Sequence, residues 1–396
     1  MIVAIVRGEV PRGTMEERAV NEIGLSGISG QPDQAVFESL IQRVNRCTMQ
    51  ACERVLPDRP GLETFFDQSE IDELELAPLS PNDLFSMVQP IRSILARGGK
   101  GWRSYALALC CEAVGGDFSR FGDWLAFSEI LHVGSLIVDD VEDGSVLRRG
   151  DAACHLMYGV PIAINAGSLA YFVVQRIIDR SEVNSRTRTG LYKEYVDLLR
   201  IAHVGQALDL SLGLQARMPA LLVSAQSRCR LEQEIRRAHR LKSGVPFRGF
   251  ARIGAILGGG NAAEIAALGR FFLRIGTTFQ LLDDALNIEG FDGNLKLKGE
   301  DIAKGKLTLP LLRAMQRMSD RDRTDFVGDW AACENDPAQL GDIAARVRNT
   351  GAVDECINEI RAEQIASWTE LNAALDNSTA KAILKMFSER MLTVFY

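Results

Sequence analysis

WLAFSEILHVGSLIVDDVEDGSVLRRGD, residues 124–151, joins a long apolar run to a knot of charge. Residues 124–138 carry apolar side chains nearly all round a helix rather than along one stripe. A helix of that kind is buried on every side, at the centre of a bundle. Asp139, Asp140, Glu142 and Asp143 follow at once, with Arg148 and Arg149 close behind. Acids this crowded repel one another. On a solvated helix end the arginines would simply neutralise them. Asp139 and Asp143, however, are four residues apart, so they stack on one helix face and aim oxygen ligands in one direction.

The chain outside this stretch reads the same way. From about residue 83 onward, apolar-periodic segments are broken at RGGKGW, GGDFS, RRGDAA, YGVP, LGGGN and GFDGNLKLKGED. Alternating runs of β-branched residues joined by two-residue turns are missing, so the fold class is all-α. Residues 1–32, rich in Gly, Pro and Glu without period, read as a flexible N-terminal arm. Residues 33–82 read as a helix, apolar at Val36, Leu40, Val44 and Met49, followed by a Pro- and acid-rich linker. The domain bearing the chemistry is expected over 83–396. A length of 396 residues with 46% hydrophobic content suits a globular protein. The formal charge of −7 argues against nucleic acid as a partner, because phosphate backbones need a basic face. The eight cysteines have no metal-binding spacing and mostly sit in apolar contexts, which fits reduced thiols. No apolar stretch approaches the roughly 20 uninterrupted residues of a membrane span. The short apolar start closes at Arg7 and Glu9, so the expected location is cytoplasmic.

A second acidic motif recurs in LLDDALNIEG, with Asp283, Asp284 and Asn287. Asp283 and Asn287 are again four apart, after another apolar helical segment. Two oxygen-rich faces of this type suit Mg²⁺, which takes a few carboxylates and leaves its other positions to water and substrate phosphate. Cations border the helix breaks: Lys100 and Arg103 in GGKGWR, Arg148 and Arg149 in LRRG, and Lys242 beside Ser243 in RLKSG. Lys296, Lys298, Lys304 and Lys306 follow in LKLKGEDIAKGK. Singly, each is an ordinary surface charge. Acids that hold metal beside bases that hold phosphate describe a diphosphate site.

In this order and at these separations the motifs resemble those of the trans-isoprenyl diphosphate synthases, relatives of farnesyl and geranylgeranyl diphosphate synthase. The resemblance spans roughly residues 85–320. GGKGWR is similar to the family's first basic motif, and His132 stands seven residues before Asp139. DDVEDGSVLRRG and FQLLDDALN, with Gln280, match the two aspartate-rich motifs. YGVPIAINAG, GQALDL (Gln206, Asp209), Lys242–Ser243 and GEDIAKGKLTLP continue the match. The first aspartate-rich motif and Asn287 look most similar to the geranylgeranyl synthases of animals and fungi. Gly101 and Ser104 stand where the family usually has Arg and Pro, and Ser243 where Thr is commoner.

The resemblance implies an isoprenoid synthase helical bundle with a central apolar substrate tunnel. It implies a homodimeric prenyltransferase that condenses isopentenyl diphosphate with an allylic diphosphate, by Mg²⁺-assisted ionisation and carbocation alkylation, to an all-trans product. Asp139, Asp143 and Asp283 would ligate Mg²⁺, three ions to an active site, with Asp140, Asp284 and Asn287 as further ligands or their supports. Arg148, Lys242 and Lys296 or Lys298 would hold the allylic diphosphate. Lys100, Arg103, His132 and Arg149 would hold the diphosphate of isopentenyl diphosphate. Ser243 and Gln280 would stabilise the developing carbocation through their oxygen dipoles. Gly134 and Ser135 stand just before Asp139, where aromatic residues close the family's tunnel; here both are small. Tyr171 and Phe172 would then form the floor, and geranylgeranyl diphosphate is the product implied. Two rival readings are a class I terpene cyclase of the same fold and a non-catalytic subunit of a heteromeric synthase. A cyclase has no use for a second diphosphate pocket, and a non-catalytic subunit usually loses acids that both motifs here retain.

Overall fold

The computed structural model describes residues 34–76, 81–290, 299–333 and 337–393. The arm expected over 1–32, together with Lys296 and Lys298, lies outside them. The chain divides into two compact units, each assembled from separated pieces of sequence. The first comprises Met1–Glu194, Phe250–Ala266 and Ala374–Phe387; the second comprises Tyr195–Gly249, Ala267–Ala373 and Ser388–Tyr396.

In the first unit the helices are α1 (Gln34–Val55), α2 (Leu62–Phe65), α3 (Gln68–Glu73), α4 (Pro81–Ala96), α5 (Trp102–Ala113) and α6 (Trp124–Glu142). A two-residue hairpin, β1 (Leu147–Arg148) and β2 (Asp151–Ala152), then leads to α7 (Cys154–Tyr158), α8 (Val160–Val173) and α9 (Gln175–Arg180). That hairpin is the one sheet among the described residues. The axis is α6, on which α1, α4, α5 and α8 all pack. Trp124 through Leu131 are buried without a break, as an apolar-all-round helix must be at the centre of a bundle. Phe127 meets Phe250 edge to face at 6.4 Å. The residue found in place of the family's proline has a use here. Ser104 is fully buried, donates to the Leu125 carbonyl (2.9 Å) and lies 2.7 Å from the Ser128 hydroxyl, which ties α5 to α6.

Two glycines set the closest approach. A Cβ at Gly134 would lie 2.6 Å from Ala170 Cβ and 2.8 Å from the Gly167 carbonyl, while one at Gly167 would lie 2.8 Å from Val138 Cγ2. The backbones of α6 and α8 therefore touch where larger residues would hold them apart. Val160–Arg180, which covers α8 and α9, is long and apolar enough by length and composition to cross a membrane. Its α8 part packs on α4 and α6.

The end of α6 is built to turn. Gly144 takes a left-handed φ of 61°, and Ser145 N–H closes on the Asp140 carbonyl at 3.0 Å. The hairpin after it turns at Arg149 and Gly150, with φ of 51° and 81°, the sign pattern of a type I′ turn. An arginine in that conformation is strained, and its side chain is correspondingly engaged.

Helix α10 (Ser185–Leu210) carries the chain into the second unit, which contains α11 (Leu214–Val223), α12 (Ala225–His239) and the start of α13 (Val245–Leu257). Most of α14 (Ala262–Glu289) follows, then α15 (Glu300–Ala303), α16 (Leu309–Arg317), α17 (Asp320–Ala331), α18 (Pro337–Asn349) and α19 (Ala352–Ala374), before the end of α20 (Thr379–Thr393). Leu231, Ile235, Leu282, Leu312, Phe326 and Trp330 belong to its buried core. Between α12 and α13 the residues Arg240–Gly244 form one π-helical turn. Such turns widen a helix and re-aim its side chains, here Lys242 and Ser243. Gly205 of α10 lies against that turn, and any Cβ there would collide with the Lys242 nitrogen.

Candidate functional site

The expected residues form two clusters, one in each unit. In the first, Asp139 and Asp143 sit half-buried on the last turn of α6 and its cap. Asp140, one residue on, points inward and is 0% exposed. Its oxygens accept from Arg148 Nε at 2.9 and 3.1 Å, and Arg148 NH2 also reaches it. Arg148 stands 3.8 Å from Asp139 as well. Burial pushes the Asp140 carboxyl above its usual range even against Arg148. Asp140 therefore holds Arg148 in place, behind the face that Asp139 and Asp143 present.

Beside this face lies a concentration of cations. Arg149 donates to the Ile94 carbonyl (3.1 Å) and to Glu129 Oε1 (3.0 Å). Gly99 lies against the same guanidinium, since a Cβ there would come 2.8 Å from Arg149 NH2. Burial, with Arg149 adding to it, lowers the Arg103 pKa to about 10 against the pull of Glu129. His132 is held well below the ordinary histidine range by burial first and then by Arg103, Arg149 and Arg148. Its ring is thus neutral near pH 7, among arginines whose charge no single carboxylate can balance. Lys100, half-buried, stands on the loop leading into α5.

In the second unit, Lys242 and Lys306 both reach Asp209 Oδ2, at 2.7 and 2.8 Å. Burial would raise this carboxyl, but Lys306 and Lys242 hold it below its usual range. Ser243 donates to Gln280 Oε1 at 2.6 Å, and Gln280 Nε2 points back to Asp284 Oδ1 at 3.4 Å. Asp284 is 2% exposed; His239 Nε2 lies 3.1 Å from its other oxygen, and the Leu309 N–H stands at 3.5 Å. Asn287 is buried too and accepts the Asp301 N–H at 3.2 Å. Asp284 and Asn287, expected among the metal ligands, are thus placed as supports that brace α14 against its neighbours. Asp283, half-buried, is the acid of this motif that retains solvent access.

The expected tunnel residues divide. Gly134 is packed against Ala170 and Gly167, so a larger residue there must first displace α8. Phe172 is 63% exposed. Ser135 is exposed, its hydroxyl donating to the His132 carbonyl at 2.7 Å. Tyr171 is half-buried, its hydroxyl pushed up by burial and by nearby Glu142 and Asp139.

Two contributors escaped the sequence reading. His239 stands three residues before Lys242, at the end of α12, and nothing local marks Asp284 as its partner. Glu129 was visible as a lone charge inside an apolar run, which by itself signals a buried pairing.

The donor set fits Mg²⁺. Asp139, Asp143 and Asp283 offer hard carboxylate oxygens. Among the described residues no three His, Cys, Asp or Glu side chains converge on one point. Asp139 and Asp143 in the first motif and Asp283 in the second, all half-buried, are a number of carboxylates Mg²⁺ accepts when water and phosphate complete its shell.

A family model described as polyprenyl synthetase matches residues 86–344. The chain is 29% identical over 308 residues to a short chain isoprenyl diphosphate synthase of Methanothermobacter thermautotrophicus, covering 78% of this chain and 90% of that one. It is 28% identical over 363 residues to a geranylgeranyl pyrophosphate synthase of Rhodocybe pseudopiperita, covering 84% and 93%. The crystal structure of geranylgeranyl pyrophosphate synthetase from Pyrococcus horikoshii superposes with a TM-score of 0.74 at 22% identity, over 90% of this chain and 99% of that one. A geranylgeranyl pyrophosphate synthase from Corynebacterium glutamicum, complexed with isoprenyl diphosphate and magnesium, superposes with a TM-score of 0.72 at 22% identity, over 89% and 99%. At that identity the likeness establishes the all-α isoprenoid synthase fold.

Proposed function

Because the chain belongs to the polyprenyl synthetase family and is a trans-prenyltransferase, we propose that it condenses isopentenyl diphosphate with an allylic diphosphate, giving all-trans geranylgeranyl diphosphate. The observation that carries this reading is the arginine cluster in the first unit. Arg103 and Arg149 flank His132, whose ring burial first and then these arginines keep neutral, beside the Asp139–Asp143 face and apart from Arg148, which Asp140 holds. A cyclase ionises one diphosphate and has no use for such a pocket; a condensing enzyme must hold a second one.

Arg103, Arg149, His132 and Lys100 bind and orient the diphosphate of isopentenyl diphosphate. Arg148, braced by Asp140, and Lys242, braced by Asp209, bind the allylic diphosphate. Asp139, Asp143 and Asp283 are the residues that would hold Mg²⁺, with three ions as the count the family suggests. What Mg²⁺ contributes when bound is neutralisation of the departing diphosphate. Ser243 and Gln280, locked to one another, present oxygen dipoles to the allylic cation. The C–O bond of the allylic diphosphate breaks, a C–C bond forms to isopentenyl diphosphate, and one proton is lost. Orienting both substrates supplies a large part of the rate.

A homodimer is supported by Leu156, Met157, Val160, Ile162, Ile164 and Phe172, large apolar side chains exposed on α7 and α8. Patches of this kind mark interaction surfaces. Light scattering at micromolar concentration should give twice the chain mass, and a monomer would reject it. A cytoplasmic location is part of the proposal, supported by eight free cysteines, most of them buried. The decisive assay supplies isopentenyl diphosphate, an allylic diphosphate and Mg²⁺, and reads product by mass. A cyclic hydrocarbon, or no product, would overturn the proposal.

A further inference from the structure

Helix α1 precedes the residues that match the family model, which begin at 86. It is nonetheless packed on α4 and α5, the helices that flank the loop carrying Lys100. Phe37 meets Tyr105 of α5 edge to face at 5.9 Å, and Leu40, Val44, Ala51 and Cys52 are buried. At its far end Arg92 of α4 holds the Leu56 carbonyl (2.6 Å), Glu53 (2.5 Å) and Asp58. Arg54 donates twice to Asp123, at 3.0 and 2.8 Å. A helix tied at both ends is a rigid mount for whatever lies between.

What lies between is Asn45. Gly101 is the N-cap of α5, with a left-handed φ of 60° and no side chain to cap the helix. A Cβ built there meets Asn45 first: it would collide with Oδ1, with Cγ at 3.1 Å and Nδ2 at 3.8 Å. The carboxamide of Asn45 thus occupies the room an N-cap side chain would take. On the other side Gly99 rests against Arg149. A Cβ at Gly98, where φ is 73°, would meet nothing within 4 Å, and the Gly98 N–H donates to the Leu95 carbonyl at 2.9 Å. A loop with three glycines in four positions has many conformations open to it, and only its neighbours choose one.

We propose that Asn45 is a positioning residue: it seats in the N-cap space of α5 and holds the loop 98–101 in the conformation that presents Lys100 and Arg103. The consequence for isopentenyl diphosphate rests on the pocket assigned above. Asn45→Ala should raise amide exchange of residues 98–103 about tenfold, the order expected when one backbone residue is released. The KM for isopentenyl diphosphate should rise similarly, with kcat and the allylic KM little changed. Gly101→Asn alone should also raise that KM, because its side chain meets Asn45. Asparagine tolerates left-handed φ and is a favoured N-cap, so Asn45→Ala combined with Gly101→Asn should recover most of the loss. Unchanged exchange in Asn45→Ala, or a double variant as poor as the two singles combined, would overturn the positioning role. Raised exchange with recovery in the double variant but no change in KM would uphold that role and sink the assignment of the pocket instead.

Discussion

Gly134→Ala adds one methyl group at the tightest point between α6 and α8. That methyl would stand 2.6 Å from Ala170 Cβ and 2.8 Å from the Gly167 carbonyl. Carbon atoms pack best at about 3.5–4.0 Å, so the helices must part by roughly 1 Å or the side chains deform. Overpacking of this size costs about 1–3 kcal/mol, and replacing a mid-helix glycine by alanine returns nearly 1 kcal/mol of helix propensity. The net loss is about 1 kcal/mol, within about 0–2, which a thermal melt of a chain this long reads as a drop of about 1–2 °C.

Catalysis should suffer as well. Asp139 lies five residues further along α6, about 7.5 Å up the same rod, so a shift of the rod moves the acidic face. Misplacement by 1 Å can cost up to about a hundredfold in rate. Product length, in contrast, should stay as in the wild type, because the added methyl meets α8. A melt above the wild-type temperature would show that α6 and α8 have room to spare. A shortened product at unchanged stability would place Gly134 on the tunnel wall. Either result refutes the packing account.

Asp139→Ala and Asp283→Ala should each lower turnover by orders of magnitude while far-UV circular dichroism stays unchanged, and EDTA should abolish wild-type activity; full activity of Asp139→Ala in EDTA would end the metal assignment. Arg149→Ala should mainly weaken isopentenyl diphosphate, by about 1.5–3 kcal/mol for one charge-assisted contact, and Lys242→Ala should mainly impair the allylic substrate; equal effects in steady-state kinetics would argue against two pockets. Burial would raise the carboxyl of Glu359, but hydrogen bonds from Arg236 and Arg313 outweigh it and hold its pKa at about 2 against an ordinary 4.5. Its contribution is therefore full above pH 4.5 and lost as pH falls toward 2, no more than about 3 kcal/mol for a side chain one-third exposed. Glu359→Gln should lower the urea midpoint at pH 7, with the gap narrowing in acid; a gap independent of pH would contradict this.

The buried centre of the bundle was legible because an apolar run with no polar stripe has one physical solution. The two acidic motifs were legible because a spacing of four puts oxygens on one face. What a helix faces is harder to read, since it depends on a second helix whose position no local pattern reports. Asp284 looks like Asp283 in sequence, but His239 is 45 residues away and only the fold brings it to Asp284. Gly101 likewise reads as a lost arginine until Asn45, 56 residues earlier, fills its place.

The tunnel expectation used depth along the helix, and periodicity adds direction around it. At about 100° per residue, four positions before Asp139 lies about 40° from it around α6, and five positions before lies about 140° away. Ser135 thus shares the side of the helix that bears Asp139, and Gly134 does not. The same rule separates Tyr171, which feels Asp139 and Glu142, from its neighbour Phe172, which faces outward. If the growing chain runs beneath the acidic face, Ser135 is the wall it passes, and Ser135→Phe is the substitution that should shorten the product to about fifteen carbons. It adds bulk where the structure has room, so the melt should stay put. Product length unchanged in that variant would remove the tunnel from this side of α6 altogether.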